Sequence, residues 1–410
     1  MTSYSQTYAS GSQYGFVSRA VARTFIVRLF FWALVVRLLV VFLLNITDAI
    51  QTLHLSPDSL RYHREGYLIA HQMAAGFFNW PNWIDNGWFQ FTGFIYYLFG
   101  PNPLIIQLIN VTFGALTPVV AYLVALRVFR ADRPARTTAI LVAFFPSFIY
   151  WSCLMLKDPI AILALSSLVL SIVGIRDSIR FGWLLLMVIS LLVLMGVRSY
   201  LLFVTVFFIA VSYVPVEGRR AGSALVRLIL ISLMLGWTLY FFGYGFMGVD
   251  YIQSSHYFDV DYINATRDNI NHGGGAFFSG ESAPKWGEDV ASTLSALSAA
   301  VFFFFVTLDF SNISGARQLM ALPEVVLVVL LLTSLLRGLK YSWRYHRQAA
   351  LPLMVFAFGL LAVYGSATTN MGAMYRWRMQ AMPFLVMFMV VGVYVRGRGL
   401  FYRLASRLDL

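Results

Sequence analysis

Asp58 is the candidate for acid or base chemistry in the sequence. The run Ser56-Pro57-Asp58 has the pattern of a helix start, with Ser56 as the N-cap and Pro57 at the first helical position. Asp58 then falls in the first turn, where the helix dipole favours an ionised carboxylate. Such a group acts as a general base toward an acceptor hydroxyl, or it only matches the dipole, and the pattern fits both. Its polar neighbours, together with Asp158, Arg267 and His272, are candidates for contacting the acceptor or supporting the site: Arg61, Tyr62, His63 and Glu65.

Cations at the ends of apolar runs are candidates for binding an anionic head group. Lys157 precedes Asp158 and Pro159 in a tight turn, and it either binds an anion or pairs with Asp158 at the membrane surface. Arg198 lies in the very short turn between two apolar runs, so it must face either lipid phosphates or a polar cavity.

Two further arginines, Arg376 and Arg378, bracket Trp377 just before the last apolar run. Guanidinium groups bind phosphate oxygens through paired hydrogen bonds, so this cluster suits a phosphate or pyrophosphate. The alternative is an aromatic anchor at the membrane interface with basic flanks.

The sequence patterns for other ligands are less specific than those for a phosphate. Arg267 precedes His272 and three glycines, a stretch that either lets the backbone approach a ligand or is only a loop. His63, His71 and His272 show no metal-ligand spacing of known type, so no cofactor is predicted and a divalent metal stays open. The single cysteine, Cys153, excludes an intramolecular disulfide and a cysteine-based metal site.

The elements that carry these residues are apolar runs of membrane-spanning length. Of 410 residues, 59% are hydrophobic and only 12% are charged, about half the usual charged fraction, which excludes a soluble globular protein. The predicted fold is all-α, a polytopic transmembrane helical bundle of about ten spans with juxtamembrane helices on its outer face. The predicted spans are 25–46, 103–126, 138–154, 159–175, 181–197, 200–215, 226–246, 322–338, 350–367 and 380–395.

The distribution of charge predicts the orientation of these spans. With both termini in the cytoplasm, most lysines and arginines lie inside and most acids lie outside, as the positive-inside rule requires. The net charge of +12 therefore does not indicate a nucleic-acid partner. We expect a disordered cytoplasmic tail over 1–17, one transmembrane domain over 18–396 and a basic cytoplasmic tail over 397–410. The expected outer loops are 47–101 and 247–322. Residues 293–308 are predicted to be interfacial or re-entrant, with an eleven-span arrangement as the alternative.

The order of these motifs along the chain resembles that in the GT-C superfamily of membrane glycosyltransferases, which use polyprenyl-phosphate sugars. The run Asp58-Ser59-Leu60-Arg61-Tyr62 is similar to the Asp-Glu-x-Arg-Tyr signature after the first span of aminoarabinose and mannosyl transferases. The segment 145–158 and the cluster from Tyr375 to Arg378 complete the pattern. Ser59 replaces the second acid of the signature, and the Lys-Pro-Pro run of many relatives is missing.

The resemblance implies a glycosyltransferase that acts at the extracytoplasmic face of a bacterial inner (plasma) membrane. It implies transfer with inversion from a polyprenyl-phosphate sugar to a glycan, lipid or protein acceptor, with Asp58 as general base. Two alternatives are a polysaccharide polymerase or ligase, and a lipid or solute transporter or flippase. The donor phosphate would be bound by Lys157, Arg198, Arg376 and Arg378.

Overall fold

The computed structural model describes residues 19–46, 48, 51–77, 86–213, 261, 264–265, 294, 305, 316–367 and 371–407. All secondary structure in these residues is helical, which confirms the all-α prediction for them. Two short 3-10 helices cover Gln51–Leu55 and Arg378–Gln380. The α-helices are α1 Arg19–Leu44, α2 Pro57–Ala74, α3 Gly87–Phe99, α4 Pro103–Phe129, α5 Asp132–Phe144, α6 Pro146–Ser152, α7 Asp158–Asp177, α8 Phe181–Val197, α9 Ser199–Ser212, α10 Ala316–Tyr345, α11 Arg347–Ala367, α12 Met371–Trp377, α13 Met382–Arg396 and α14 Leu400–Arg407.

Five of these helices are long and apolar enough to cross a membrane: segments of α1, α4, α7, α10 and α11. A sixth span results if α12 and α13 are counted together, and α8 and α9 are shorter apolar helices. The chain is therefore a membrane protein, while the count of about ten spans stays a prediction. The predicted span 226–246, and nearly all of the segment 293–308, lie outside the described residues.

The predicted span 138–154 is not one continuous helix. It is divided between α5 and α6 at Phe145 and Pro146. Pro146 has no backbone N–H and restricts the residue before it to extended conformations, and Phe145 has φ −66° and ψ 125°. The proline therefore ends α5 and begins α6. Within the predicted C-terminal tail, the structure adds the short helix α14.

The described residues separate into two compact units. The first comprises Met1–Phe203, Leu330–Ala350 and Met382–Leu410, and the second comprises Val204–Val329 and Leu351–Ala381. In the first unit α4 is central, because it packs against α1, α5 and α7. Beside this core, α2 and α3 form a helical hairpin, and α13 packs against α5.

Each unit contains a close helix crossing that depends on glycine. In the first unit, Gly338 of α10 faces the carbonyl of Phe388, and Gly392 of α13 faces the carbonyl of Ser334. A Cβ atom at either glycine would overlap that backbone oxygen. In the second unit, the ring of Phe208 covers Gly359. The crossing in the first unit brings two helix backbones together, as small residues do in other membrane bundles, whereas Gly359 makes room for an aromatic ring.

Candidate functional site

Asp58 lies in the first turn of α2, as the sequence predicts. The helix begins at Pro57, and Ser56 is the N-cap residue, although the Ser56 side chain makes no capping hydrogen bond. Asp58 is half-buried, so a ligand can approach its carboxylate.

The α2–α3 hairpin fixes the position of this helix. A Cβ atom at Gly66 would overlap the side chain of Thr92, and one at Gly93 would overlap Ile69. Each glycine therefore admits a side chain of the other helix, and the two backbones approach closely. The hairpin holds the helix that carries Asp58 through packing that leaves little room for adjustment.

The neighbours of Asp58 divide into packing and exposed residues. Tyr62 is buried between the rings of Trp88 and Phe89, with centroid distances of 6.3 Å and 5.5 Å. Arg61 is exposed, and its guanidinium lies 5.4 Å from the centroid of the Phe89 ring. In the Asp-x-x-Arg-Tyr run, the tyrosine thus anchors the hairpin, whereas Arg61 remains accessible to a ligand.

His63 and Glu65 occupy different environments. The Nδ1 atom of His63 lies 2.9 Å from the hydroxyl of Tyr96, and this hydroxyl donates to the sulfur of Met155 over 3.5 Å. Burial lowers the pKa of His63 and raises that of Tyr96, so the imidazole is neutral near pH 7. Glu65 accepts a 3.1 Å hydrogen bond from Arg64 at the protein surface. His63 is thus a packed, uncharged residue of the hairpin.

Lys157 lies at the end of a segment that Asn110 of α4 holds in place. The buried Asn110 amide donates to the carbonyls of Leu154 and Leu156 over 2.8 Å and 2.7 Å. Lys157 follows, half-buried, as the N-cap residue of α7. The chain path before α7, and hence the position of Lys157, is therefore set by a buried side chain of the central helix.

Asp158 and Arg198 form a buried ion pair in the first unit. The Nη2 atom of Arg198 donates to Oδ1 of Asp158 over 2.5 Å, and Nη1 donates to the hydroxyl of Tyr200 over 2.6 Å. Only 3% of the Arg198 side chain and 1% of the Asp158 side chain are exposed. The structure therefore pairs Asp158 with an arginine 40 residues away. A buried charge needs such a partner, because desolvation alone would cost several kcal/mol.

Arg37 connects α1 to the break between α5 and α6. Its Nη1 atom donates to the carbonyl oxygens of Ala33 and Ala143 over 2.9 Å and 3.0 Å, and Nε donates to the hydroxyl of Ser152 over 3.1 Å. Ala143 lies in the last turn of α5, where carbonyls lack intrahelical partners and a cation is favourable. Arg37 thus has a structural role in an apolar helix, which its sequence position did not reveal.

Arg378 forms the second buried ion pair, in the second unit. Its Nη2 atom donates to Oε1 of Glu324, and the Tyr375 hydroxyl donates to Oε2 over 3.4 Å. The guanidinium carbon of Arg378 lies 4.9 Å from the centroid of the Tyr375 ring. Sequence reasoning missed Glu324. The signal that could have found it is an acid inside a predicted span, since such a charge is costly without a partner.

In the second unit, Tyr364 also contacts both Trp377 and Gln380. The Tyr364 hydroxyl donates to Oε1 of Gln380, and the rings of Tyr364 and Trp377 lie 5.4 Å apart. Gln380 is fully buried, whereas Arg376 is half-buried. The predicted Arg-Trp-Arg cluster thus contains one enclosed and one more accessible arginine.

Of the predicted site residues, the structure brings Asp158 and Arg198 into contact. Asp58, Lys157, Asp158 and Arg198 belong to the first unit, and Arg376 and Arg378 belong to the second. Arg267 and His272 lie outside the described residues. Within the part of the chain that the structure describes, no three His, Cys, Asp or Glu side chains are grouped to hold a metal ion.

Comparison of the chain with protein-family models, with curated proteins and with solved structures gives no significant match. The function must therefore be argued from the residues and their geometry.

Proposed function

We propose that this chain is a membrane glycosyltransferase that moves a sugar from a polyprenyl-phosphate donor to an acceptor on the extracytoplasmic face. The observation that carries the proposal is the placement of Asp58. It follows the first membrane-length helix, it starts a helix fixed by a glycine-dependent hairpin, and it is half-buried. These are the properties of a general base positioned beside a lipid substrate.

The proposed reaction is a direct displacement. The acceptor hydroxyl oxygen forms a bond to the anomeric carbon while the bond from that carbon to the phosphate oxygen breaks. Asp58 takes the hydroxyl proton, and polyprenyl phosphate leaves with the bonding electron pair. Attack opposite the leaving group inverts the anomeric centre, and the acceptor is a glycan, a lipid or a protein.

The leaving phosphate needs a cation that a ligand can reach. Of the four cations predicted from the sequence, Lys157 and Arg376 are half-buried, whereas Arg198 and Arg378 are fully buried. We therefore assign Lys157, which belongs to the same unit as Asp58, as the first candidate for the donor phosphate. The proposed orientation, with both termini in the cytoplasm of a bacterial cell, puts the outer ends of the helices beside the lipid-linked donor.

The test is transfer by the purified full chain in nanodiscs. The donors are undecaprenyl-phosphate glucose, mannose and arabinose with a tritiated sugar, and the acceptors are cell-envelope extracts. We expect Asp58→Asn to lose about 10²-fold or more of the transfer rate, because the base is removed. The matched control Asp48→Asn, an exposed acid of the same region, should retain the wild-type rate.

Two results would remove the proposal. One is wild-type transfer by Asp58→Asn at normal expression. The other is release of undecaprenyl phosphate that does not depend on an acceptor.

One observation favours a lipid transporter or flippase as the second candidate. The α5–α6 break lies beside the buried Arg37, and interrupted helices beside buried charges are typical of transporters. Proteoliposomes with fluorescent undecaprenyl phosphate separate the two candidates. Lipid movement between leaflets without a glycosylated product would favour the transporter, whereas acceptor-dependent product would favour the enzyme.

A further inference from the structure

A sharp turn joins α13 to the C-terminal helix α14. Gly397 and Gly399 have φ angles of 63° and 101°, in the left-handed region that L side chains rarely adopt. The Gly397 N–H donates to the carbonyl of Val393 over 3.2 Å, and the Arg403 N–H donates to that of Gly399 over 3.1 Å. The two glycines thus end one helix and start the next, so the backbone of the turn sets the direction of α14.

One side of α14 packs against the first unit, and another side is exposed. The Tyr402 ring lies 5.7 Å from that of Tyr394, and the Tyr394 hydroxyl lies 2.9 Å from the hydroxyl of Thr137 in α5. Leu400 and Leu404, one helical turn apart, are 63% and 49% exposed. An anchored helix that presents two large apolar side chains in this way suits contact with an apolar medium.

Three apolar helices of the first unit end close to one another. They are α4, which ends at Phe129, α10, which ends at Tyr345, and α13, which ends at Arg396. The Phe129 ring lies 5.8 Å from that of His346, and burial together with the charge of Arg130 lowers the pKa of His346. The helix α13 packs against α5, which follows α4. Ends of membrane-length helices are where the hydrocarbon layer meets the lipid headgroups.

Exposed cations crowd the turns at these helix ends. They lie after α4, around the α10–α11 turn and at the end of α13: Arg130, Arg133, Arg344, Arg347, Arg396 and Arg398. The stretches 130–136, 337–347 and 396–407 contain one acid, Asp132, which forms an ion pair with Arg136 over 2.6 Å. Arg403 adds a further exposed cation from α14 itself. This end of the unit therefore carries a strong excess of positive charge.

We propose that this end of the first unit binds anionic phospholipid, with α14 lying in the headgroup layer. Leu400 and Leu404 reach the acyl chains, while Arg398 and Arg403 contact lipid phosphates. Apolar and basic side chains on a short helix directly after the end of an apolar helix are typical of an interfacial helix, whereas a soluble acidic partner needs no apolar side at that depth. Lipid binding here depends neither on sugar transfer nor on which side of the membrane carries this end.

A fluorescent probe on α14 tests this surface. The full chain with Cys153→Ser and Leu404→Cys is labelled with the fluorophore NBD and placed in nanodiscs of phosphatidylcholine mixed equally with phosphatidylglycerol. A spin-labelled form of either lipid quenches the probe when it lies beside it, so the ratio of the two quenching efficiencies measures local enrichment of the anionic lipid. We expect blue-shifted emission, weak quenching by aqueous iodide and stronger quenching by phosphatidylglycerol than by phosphatidylcholine.

Single arginine variants of the labelled chain separate charge from packing. Arg398→Gln should lower the enrichment of phosphatidylglycerol about fivefold, which corresponds to about 1 kcal/mol for one cation at the membrane surface. Arg398→Lys keeps the charge and should retain the enrichment. The matched control is Arg64→Gln, which removes an exposed arginine of α2 that pairs with Glu65, and it should behave as wild type does.

Four results would overturn the proposal. In the labelled chain with Arg398 intact, they are equal quenching by the two lipids, or an aqueous emission with strong quenching by iodide. Unchanged enrichment in Arg398→Gln would show that the arginine does not hold the lipid. Equal loss of enrichment in Arg398→Lys and Arg398→Gln would show that the side chain acts through packing.

Discussion

Arg198 and Arg378 are each buried together with one acid. A buried ion pair contributes little net stability, because the cost of desolvating two charges offsets most of their attraction. Replacing such a pair by apolar residues is often neutral or stabilising. For Asp158–Arg198 and Glu324–Arg378, which are less than 4% exposed, we therefore expect a role in positioning rather than a large net contribution to stability.

The Asp158–Arg198 pair gives a prediction about stability. Asp158→Asn leaves the Arg198 charge buried without its anion, so we expect a loss of about 3–5 kcal/mol in the free energy of unfolding. The matched variant Asp177→Asn breaks an exposed ion pair with Arg127 and should cost less than about 1 kcal/mol. Unfolding of the purified protein in detergent micelles, followed by tryptophan fluorescence, measures both. Similar losses in the two variants would contradict the energetic role of the buried pair.

The sequence predicts a helix start that depends on neighbouring residues, but it does not predict an ion pair between residues far apart in the chain. Ser56 and Pro57 determine the start of α2 through their own backbone preferences, so Asp58 could be placed in a first turn from sequence alone. The partners of Arg198 and Arg378 could not be predicted, because they lie 40 and 54 residues away and depend on tertiary packing. The sequence left open whether Lys157 binds an anion or pairs with Asp158, and it gave no sign that Asp158 pairs with Arg198.

At the scale of elements, the crossing of α10 and α13 depends on two glycines that face backbone oxygens. A methyl group at Gly392 would overlap the carbonyl of Ser334, and backbone cannot move aside as a flexible side chain can. The crossing therefore tolerates no Cβ atom at this position without separation of the helices. The sequence showed both glycines inside apolar runs, but only the packing shows that they face another helix.

We therefore predict opposite effects for two glycine substitutions. Gly392→Ala should lower the free energy of unfolding by about 1–3 kcal/mol, because the helices must move apart. Gly182→Ala in α8 meets no atom within 4 Å, so it should stabilise the helix by about 0.5–1 kcal/mol through its higher helix propensity. The same unfolding assay compares them. A neutral or stabilising Gly392→Ala would show that the crossing is looser than the structure indicates.

Broken helices show a second limit of sequence reasoning at this scale. The run 138–154 is apolar enough to be predicted as one span, because the hydrophobic pattern continues without change through the break at Phe145–Pro146. Pro146 was the available signal, since a proline inside an apolar run usually ends one helix and starts another. The contact of Arg37 with the carbonyl of Ala143, just before the break, depends on tertiary packing and has no signal in the sequence.

For the whole molecule, the α5–α6 break decides the orientation of everything that follows it. If α5 and α6 together cross the membrane, the charge distribution puts Asp48 outside and both Arg133 and Ile179 inside. If they turn back within the membrane, α7 must carry the chain to the other side, and Ile179 lies outside. The two arrangements differ in the side reached by α8 and by the helices after it.

Cysteine accessibility tests this orientation in intact cells. The background is Cys153→Ser, because the buried Cys153 thiol donates to the carbonyl of Arg37 and serine preserves that hydrogen bond. Asp48→Cys, Arg133→Cys and Ile179→Cys each place one thiol at an exposed position. We expect a membrane-impermeant maleimide to label the thiol at position 48 in intact cells. The thiols at positions 133 and 179 should be labelled only after permeabilisation. Outside labelling at 179 with an inside thiol at 133 would identify α5–α6 as re-entrant, and outside labelling at 133 would reverse the proposed topology.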